Sequence, residues 1–154
     1  MSKVAIIMGS ESDREVVNQG IPYLEFFQVE YDILVMSAHR TPQTVQQFAS
    51  SAKDKGYSII IACAGMAAHL PGVIAAYTTL PVIGVPLDAG SLKGLDSLFS
   101  IVQMPAGVPV ATMAIGKAGI RNAIIFSVQI LSLSDKNSSA KLSEFKLNNC
   151  RLPQ

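Results

Sequence analysis

A three-layer α/β/α domain built on a parallel five-stranded sheet is the fold that this sequence predicts. Three observations lead there. Five apolar runs of strand length recur along the 154 residues, with helix-like segments between them. The runs are near-continuously apolar rather than alternating, as parallel strands covered on both faces should be. The length suits one domain whose core buries roughly 70% of the surface that the unfolded chain exposes.

The elements follow in order. The first strand is expected over residues 4–8, with a helix from about residue 13 to 27. The second strand covers 29–36 and leads to a helix over 42–55, where Thr41 before Pro42 marks a helix start. The third strand covers 59–63 and is followed by a helix over 70–79. A short fourth strand at 82–85 precedes a helix over 95–102. The fifth strand is expected at 108–113, before a long apolar helix over 117–133. No repeat, linker or low-complexity tract interrupts the pattern, so residues 1–154 read as a single domain. After Ser134 the chain turns polar, and residues 135–154 are expected to form a C-terminal tail that packs on a neighbouring subunit or frays.

Composition limits the partners. Charged residues make up 15%, against a usual value of about 25%. Hydrophobic residues reach 49%, and the mean hydropathy is +0.37. A monomer of this size has too few charges to cover its surface, so a homo-oligomer with large interfaces is expected. The net charge of +1 comes from 12 basic and 11 acidic residues with no basic block, which argues against nucleic acid and membrane as partners. Cys63 and Cys150 lie in no metal-ligand spacing, and Cys63 reads as a small buried hydrophobe within a strand. The five apolar residues after Lys3 are too few for a signal-peptide core, and no run approaches a membrane span. A cytoplasmic protein is the expectation.

Because the strands are parallel, the loops after the first three converge at one edge of the sheet, where ligands bind in open α/β folds. The second of these loops, Ser37-Ala38-His39-Arg40-Thr41-Pro42, carries the most information. It places a protonatable imidazole beside a fixed guanidinium, which suits proton transfer on an anionic substrate. The first loop, Gly9-Ser10-Glu11-Ser12-Asp13, either cradles an anion with free backbone N–H groups or merely caps a helix, with Ser12 and Glu15 as a capping box. The third loop runs from Ala64 to Gly72, and its small residues let the backbone approach a ligand. His69 within it is a second catalytic group or a helix-start residue, with a positioning role favoured. Dinucleotide, ATP-binding and serine-elbow glycine motifs are all lacking.

With these loops assembled, the chain resembles the N5-carboxyaminoimidazole ribonucleotide mutase family, the bacterial-type, class I branch of the catalytic phosphoribosylaminoimidazole carboxylases. The likeness runs from Val4 to about Leu133. It rests on Met8-Gly9-Ser10 with Ser12-Asp13, on the His39 loop, and on Ala67-Ala68-His69-Leu70-Pro71-Gly72. It continues through Gly94-Leu95-Asp96-Ser97-Leu98, Ser100-Ile101-Val102-Gln103-Met104-Pro105 and Ala114-Ile115-Gly116-Lys117-Ala118-Gly119.

The resemblance implies a flavodoxin-like fold, a homo-octamer, and a rearrangement that uses no metal and no cofactor. The substrate would be a small ribonucleotide of de novo purine (IMP) synthesis, supplied by an ATP-dependent carboxyaminoimidazole ribonucleotide synthase to which the enzyme is functionally coupled. It makes His39 the general acid and base, and gives nucleotide binding to Ser10, Asp13 and Arg40. Ser12, Ser37 and the backbone near Gly65 would complete the pocket, together with Ala67, His69 and Leu70. Two departures stand out: Met66 and Cys63 occupy positions where glycine is common in this family. No role is assigned to Leu87-Asp88-Ala89-Gly90. A sister type that carboxylates aminoimidazole ribonucleotide directly tends to carry His-Lys-Gly-Pro and a Ser-Asn pair where this chain has His39-Arg40-Thr41-Pro42 and Ala68-His69. A non-catalytic nucleotide- or flavin-binding module is a further alternative; the chain has no Trp, and the first loops carry neither Tyr nor Phe.

Overall fold

The computed structural model describes residues 3–153. Five parallel strands form one sheet: β1 (Lys3–Met8), β2 (Glu30–Val35), β3 (Tyr57–Gly65), β4 (Val82–Leu87) and β5 (Ala111–Thr112). Their order is β2-β1-β3-β4-β5, the flavodoxin-like arrangement. Side chains alternate across the sheet, so each strand supplies both faces. Ala5 and Ile7 of β1 join one core with Val45, Phe48, Ile74 and Ile101. Val4, Ile6 and Met8 join the other with Val17, Leu24, Ile120 and Ile124. The first core is covered by α3 (Pro42–Ser51), α4 (Leu70–Tyr77) and α5 (Leu95–Val102). The second is covered by α1 (Arg14–Asn18), α2 (Ile21–Phe27) and α6 (Lys117–Leu131). The expected three layers and five strands are all present.

The structure departs from expectation in three places, each with a physical reason. The single helix expected over 13–27 is a 3-10 turn (Glu11–Asp13) followed by two short helices that break at Gln19 and Gly20. Pro22 lacks the N–H that a continuous helix needs. At Gly20 α6 comes so close that a Cβ would lie 2.3 Å from Ile124 Cδ1. The fifth strand contracts to Ala111–Thr112, because Pro109 cannot donate to the ladder.

The third departure concerns the polar tail, which is neither frayed nor without a core of its own. It forms α7 (Lys136–Leu147), started by Asp135, whose carboxylate accepts from the Ser138 N–H at 2.7 Å. Phe145 on α7 is buried with Phe27 and Val128, and its ring sits 5.3 Å from that of Phe27. The tail therefore packs on its own subunit. Its mean polarity hides a single apolar stripe, Leu142 and Phe145, three residues apart on one helix face.

At the amino-terminal edge of the sheet, Lys3, Asp32 and Tyr57 clasp three neighbouring strands. Lys3 Nζ lies 2.6 Å from Asp32 Oδ2 and 3.7 Å from Glu30 Oε1, and the Tyr57 hydroxyl donates to the Asp32 carboxylate. The carboxyl-terminal edge is left to the site. Among the described residues, no helix is long and apolar enough to cross a membrane.

Candidate active site

β1 sits between β2 and β3, so the connections leaving β1 and β3 diverge to opposite faces and leave a crevice above their carboxyl ends. A cleft of about 430 Å³ occupies that crevice. All ten residues named from the sequence line it: Ser10, Ser12, Asp13, Ser37, His39, Arg40, Gly65, Ala67, His69 and Leu70.

The first loop folds around Ser10. Ser10 Oγ accepts from the Ser12 N–H at 3.3 Å and from the Ser12 hydroxyl at 2.9 Å, and the Asp13 carboxylate accepts from the Ser10 N–H at 3.2 Å. The capping box expected from Ser12 and Glu15 is thus built from Ser10 and Asp13, two residues earlier. Since Ser10 Oγ is an acceptor in both contacts, its own proton remains for a ligand. Burial raises the Asp13 carboxyl above its ordinary value, and the Ser10 N–H pulls the other way. Beneath it, Cys63 is fully buried; burial first, and then the charge of Asp13, push its thiol up, so it stays protonated.

The second loop is braced from inside. Ser37 Oγ accepts from the His39 and Arg40 N–H groups at 3.3 and 3.1 Å. Thr41 Oγ1 accepts from the Ser37 N–H at 2.9 Å and donates to the Ser37 carbonyl at 3.1 Å. Ser37 and Thr41 spend their hydroxyls on shaping the loop, and the side chains of His39 and Arg40 are left exposed. Arg14 is held by Glu11 at 2.6 and 2.7 Å, whereas Arg40 has no ion-pair partner among the described residues. Arg40 is the cation available to an anionic ligand.

The third loop brings His69, at the start of α4, across to His39. His39 Nε2 and His69 Nδ1 lie 2.6 Å apart, with ring centroids 4.8 Å apart and planes at 78°. One nitrogen must donate and the other accept, so each ring fixes the tautomer and plane of its partner. Both rings of this pair line the cleft. The sequence shows both histidines but not their pairing, because they are 30 residues apart.

Four small residues in the wall are not among the expected binding residues: Gly9, Ala38, Ala64 and Ala89. Ala89 belongs to the segment that was assigned no role. Its place just beyond β4, next to β3 in the sheet, was the available signal. Met66, flagged only as a departure, also lines the cleft, at a left-handed φ of 56°. That conformation costs a residue with a Cβ roughly 1–2 kcal/mol. Among the described residues, no group of three or more His, Cys, Asp or Glu side chains is placed to hold a metal ion.

Fold and cleft together define an α/β protein with a ligand cleft at a topological switch point, in which two paired histidines face an arginine without an ion-pair partner among the described residues. More narrowly, the chain belongs to the AIR carboxylase family, whose sequence profile matches residues 3–151. It is 53% identical over 144 residues to the N5-carboxyaminoimidazole ribonucleotide mutase of Vibrio vulnificus, covering 94% of this chain and 89% of that protein. The Escherichia coli (strain K12) protein of the same name is 50% identical over 145 residues, covering 94% and 86%. The crystal structure of Treponema denticola PurE superposes with a TM-score of 0.88 at 26% identity, over 97% of this chain and 92% of that one.

Proposed function

We propose that this chain is an isomerase, a mutase that converts N5-carboxyaminoimidazole ribonucleotide to 4-carboxy-5-aminoimidazole ribonucleotide in purine biosynthesis, acting as one domain within a homo-octamer. The observation that carries this reading is the hydrogen-bonded His39–His69 pair in a cleft that also holds Arg40 and the Ser10–Asp13 loop. Relatives of about half-identical sequence that bear the mutase name support it.

The chemistry follows from the residues. In the first half-reaction the bond between the exocyclic nitrogen and the carboxylate carbon breaks. Its electron pair stays on nitrogen, which takes a proton from His39, and carbon dioxide is released into the cleft. In the second, ring carbon 4 attacks carbon dioxide, a carbon–carbon bond forms, and the proton on carbon 4 passes to His39. The imidazole is reset at each turnover, so no net proton, electron or ATP is consumed. His69 holds the His39 ring and shares its proton. Arg40 and the Ser10 hydroxyl serve the phosphate as charged and neutral donors. Asp13 accepts from the ribose hydroxyls. The small residues of the third loop keep carbon dioxide beside carbon 4, which makes recapture an intramolecular event. The family resemblance further implies that the carbamate is supplied by an ATP-dependent synthase to which the enzyme is functionally coupled.

The family description names a carboxylase, and one experiment separates the two activities. Purified protein is given the carbamate without bicarbonate or ATP, and carboxylation at carbon 4 is followed by absorbance. The mutase reading expects turnover. It is wrong if the protein turns over only the unsubstituted ribonucleotide with free carbon dioxide.

A further inference from the structure

Thr41 stands where a helix cap belongs and does not cap. It precedes Pro42, the first residue of α3, yet its side chain makes no capping hydrogen bond to that helix. The hydroxyl reaches back across the loop instead. Thr41 Oγ1 accepts from the Ser37 N–H at 2.9 Å and donates to the Ser37 carbonyl at 3.1 Å, and the Thr41 N–H donates to the same carbonyl at 2.9 Å. Ser37 is thereby held at both its N–H and its carbonyl. The loop has fixed ends and an exposed middle. At one end Met36 is buried, and its N–H donates to the Met8 carbonyl at 3.0 Å, which pins the loop to β1. At the other, the Thr41 carbonyl accepts from the N–H of Val45 at 3.2 Å, and Val45 is fully buried in the core beneath α3. Between these ends His39 and Arg40 are exposed, so core packing does not locate them. Their N–H groups rest on Ser37 Oγ, and Ser37 rests on Thr41.

We propose that Thr41 is a positioning residue, which carries the rigidity of α3 through Ser37 to His39 and Arg40 and so places both for the reaction. The inference rests on the mutase reading above. The contact of 2.6 Å between His39 Nε2 and His69 Nδ1 leaves little room for displacement. A misplacement of about 1 Å in a reacting group costs about 10²-fold in rate. Arg40 depends on the same Ser37 hydroxyl, so loss of the brace strikes proton transfer and anion binding together. A residue that served only the start of α3 would touch neither.

The test compares the wild type with Thr41→Val and Thr41→Ser for kcat and KM on the carbamate, thermal midpoint, and amide hydrogen exchange. Valine keeps the branched shape of threonine and can neither donate nor accept. Thr41→Val is expected to lower kcat by about 10–10²-fold and to raise KM several-fold. Its thermal midpoint should stay close to wild type, because the hydroxyl gives α3 no cap. Thr41→Ser keeps the hydroxyl and should recover most of both constants. In Thr41→Val the amides of His39 and Arg40 should exchange faster, with those of β1 and β3 unchanged. Wild-type constants in Thr41→Val overturn the inference, and so does a Thr41→Ser no better than Thr41→Val. A Thr41→Val chain that does not fold, or that exchanges faster throughout, assigns Thr41 to the fold and overturns it as well. A wild type that does not convert the carbamate overturns the mutase reading, and exchange at His39 and Arg40 then still decides whether Thr41 holds them.

Discussion

At the scale of single residues, the two histidines are unequal partners. His39 is the ring proposed to give and take the proton, and an amide keeps some hydrogen bonding but cannot shuttle a proton. His39→Asn is therefore expected to fold normally and lose about 10²–10⁴-fold in kcat, the usual contribution of a general acid–base group. Activity within a few-fold of wild type would remove His39 from the mechanism. His69 acts through His39, so its variants should separate by what they offer His39 Nε2. Asn can place an amide oxygen near the position of His69 Nδ1, which lies 2.6 Å from His39, whereas Ala leaves that nitrogen without a partner. We expect His69→Ala to lower kcat more than His69→Asn, with KM little changed in either; equal losses would make His69 a packing residue only. The polar side chains that line the cleft were legible in the sequence, because His, Arg, Asp and Ser at strand ends announce themselves. The pairing of His39 with His69 was not legible, nor was the part played by Ala89. An alanine has no chemistry to flag it, and distances across the sheet edge exist only once β3 and β4 are adjacent.

Among the elements, strands were read well and boundaries less well, for reasons particular to each. Buried parallel strands are apolar on both faces, so β1 and β3 stood out as runs. The break at Gly20 was hidden because the need for glycine comes from Ile124 on α6, far along the chain. The helix over the tail was hidden by its average polarity. The clasp of β1, β2 and β3 gives a test at this scale. Lys3 beside Asp32, and then the Tyr57 hydroxyl, hold the Asp32 carboxyl below its ordinary value. A depressed carboxyl contributes stability that is present above the unfolded value of about 3.9 and is lost as pH falls through the lower folded value. Asp32→Asn should therefore unfold at lower urea than wild type at pH 7, and the gap should close as the solution is taken below that range. The clasp is partly exposed, so added salt should narrow the gap at pH 7. A gap that persists unchanged in acid would assign the loss to packing rather than charge.

For the whole molecule, the question is what covers its apolar surface. Ser97 and Ile101 turn α5 toward the sheet, and its other side shows Leu95, Phe99 and Val102 at 53%, 60% and 48% exposure. Spacings of four and three residues put them on one helical stripe. Leu92, 60% exposed, stands three residues before it, in the same connection that carries Ala89 to the cleft. A continuous apolar stripe of this kind on a chain with 15% charged residues is the surface that the proposed homo-octamer would bury. Full burial of a Phe side chain is worth about 1.5–3 kcal/mol, and more than half of that is unrealised for Phe99 in the isolated subunit. A carboxylate there would have to be desolvated without a partner at every copy of the interface. Phe99→Glu is therefore expected to keep the subunit fold, since Phe99 lies outside all three core clusters. It should shift the particle toward the chain mass of 16.4 kDa in light scattering. Activity should fall with the mass, because the connection that carries Ala89 to the cleft would lose its covering subunit. A Phe99→Glu particle of wild-type mass would place the interface elsewhere, and a dissociated particle with full activity would show that each subunit closes its own cleft.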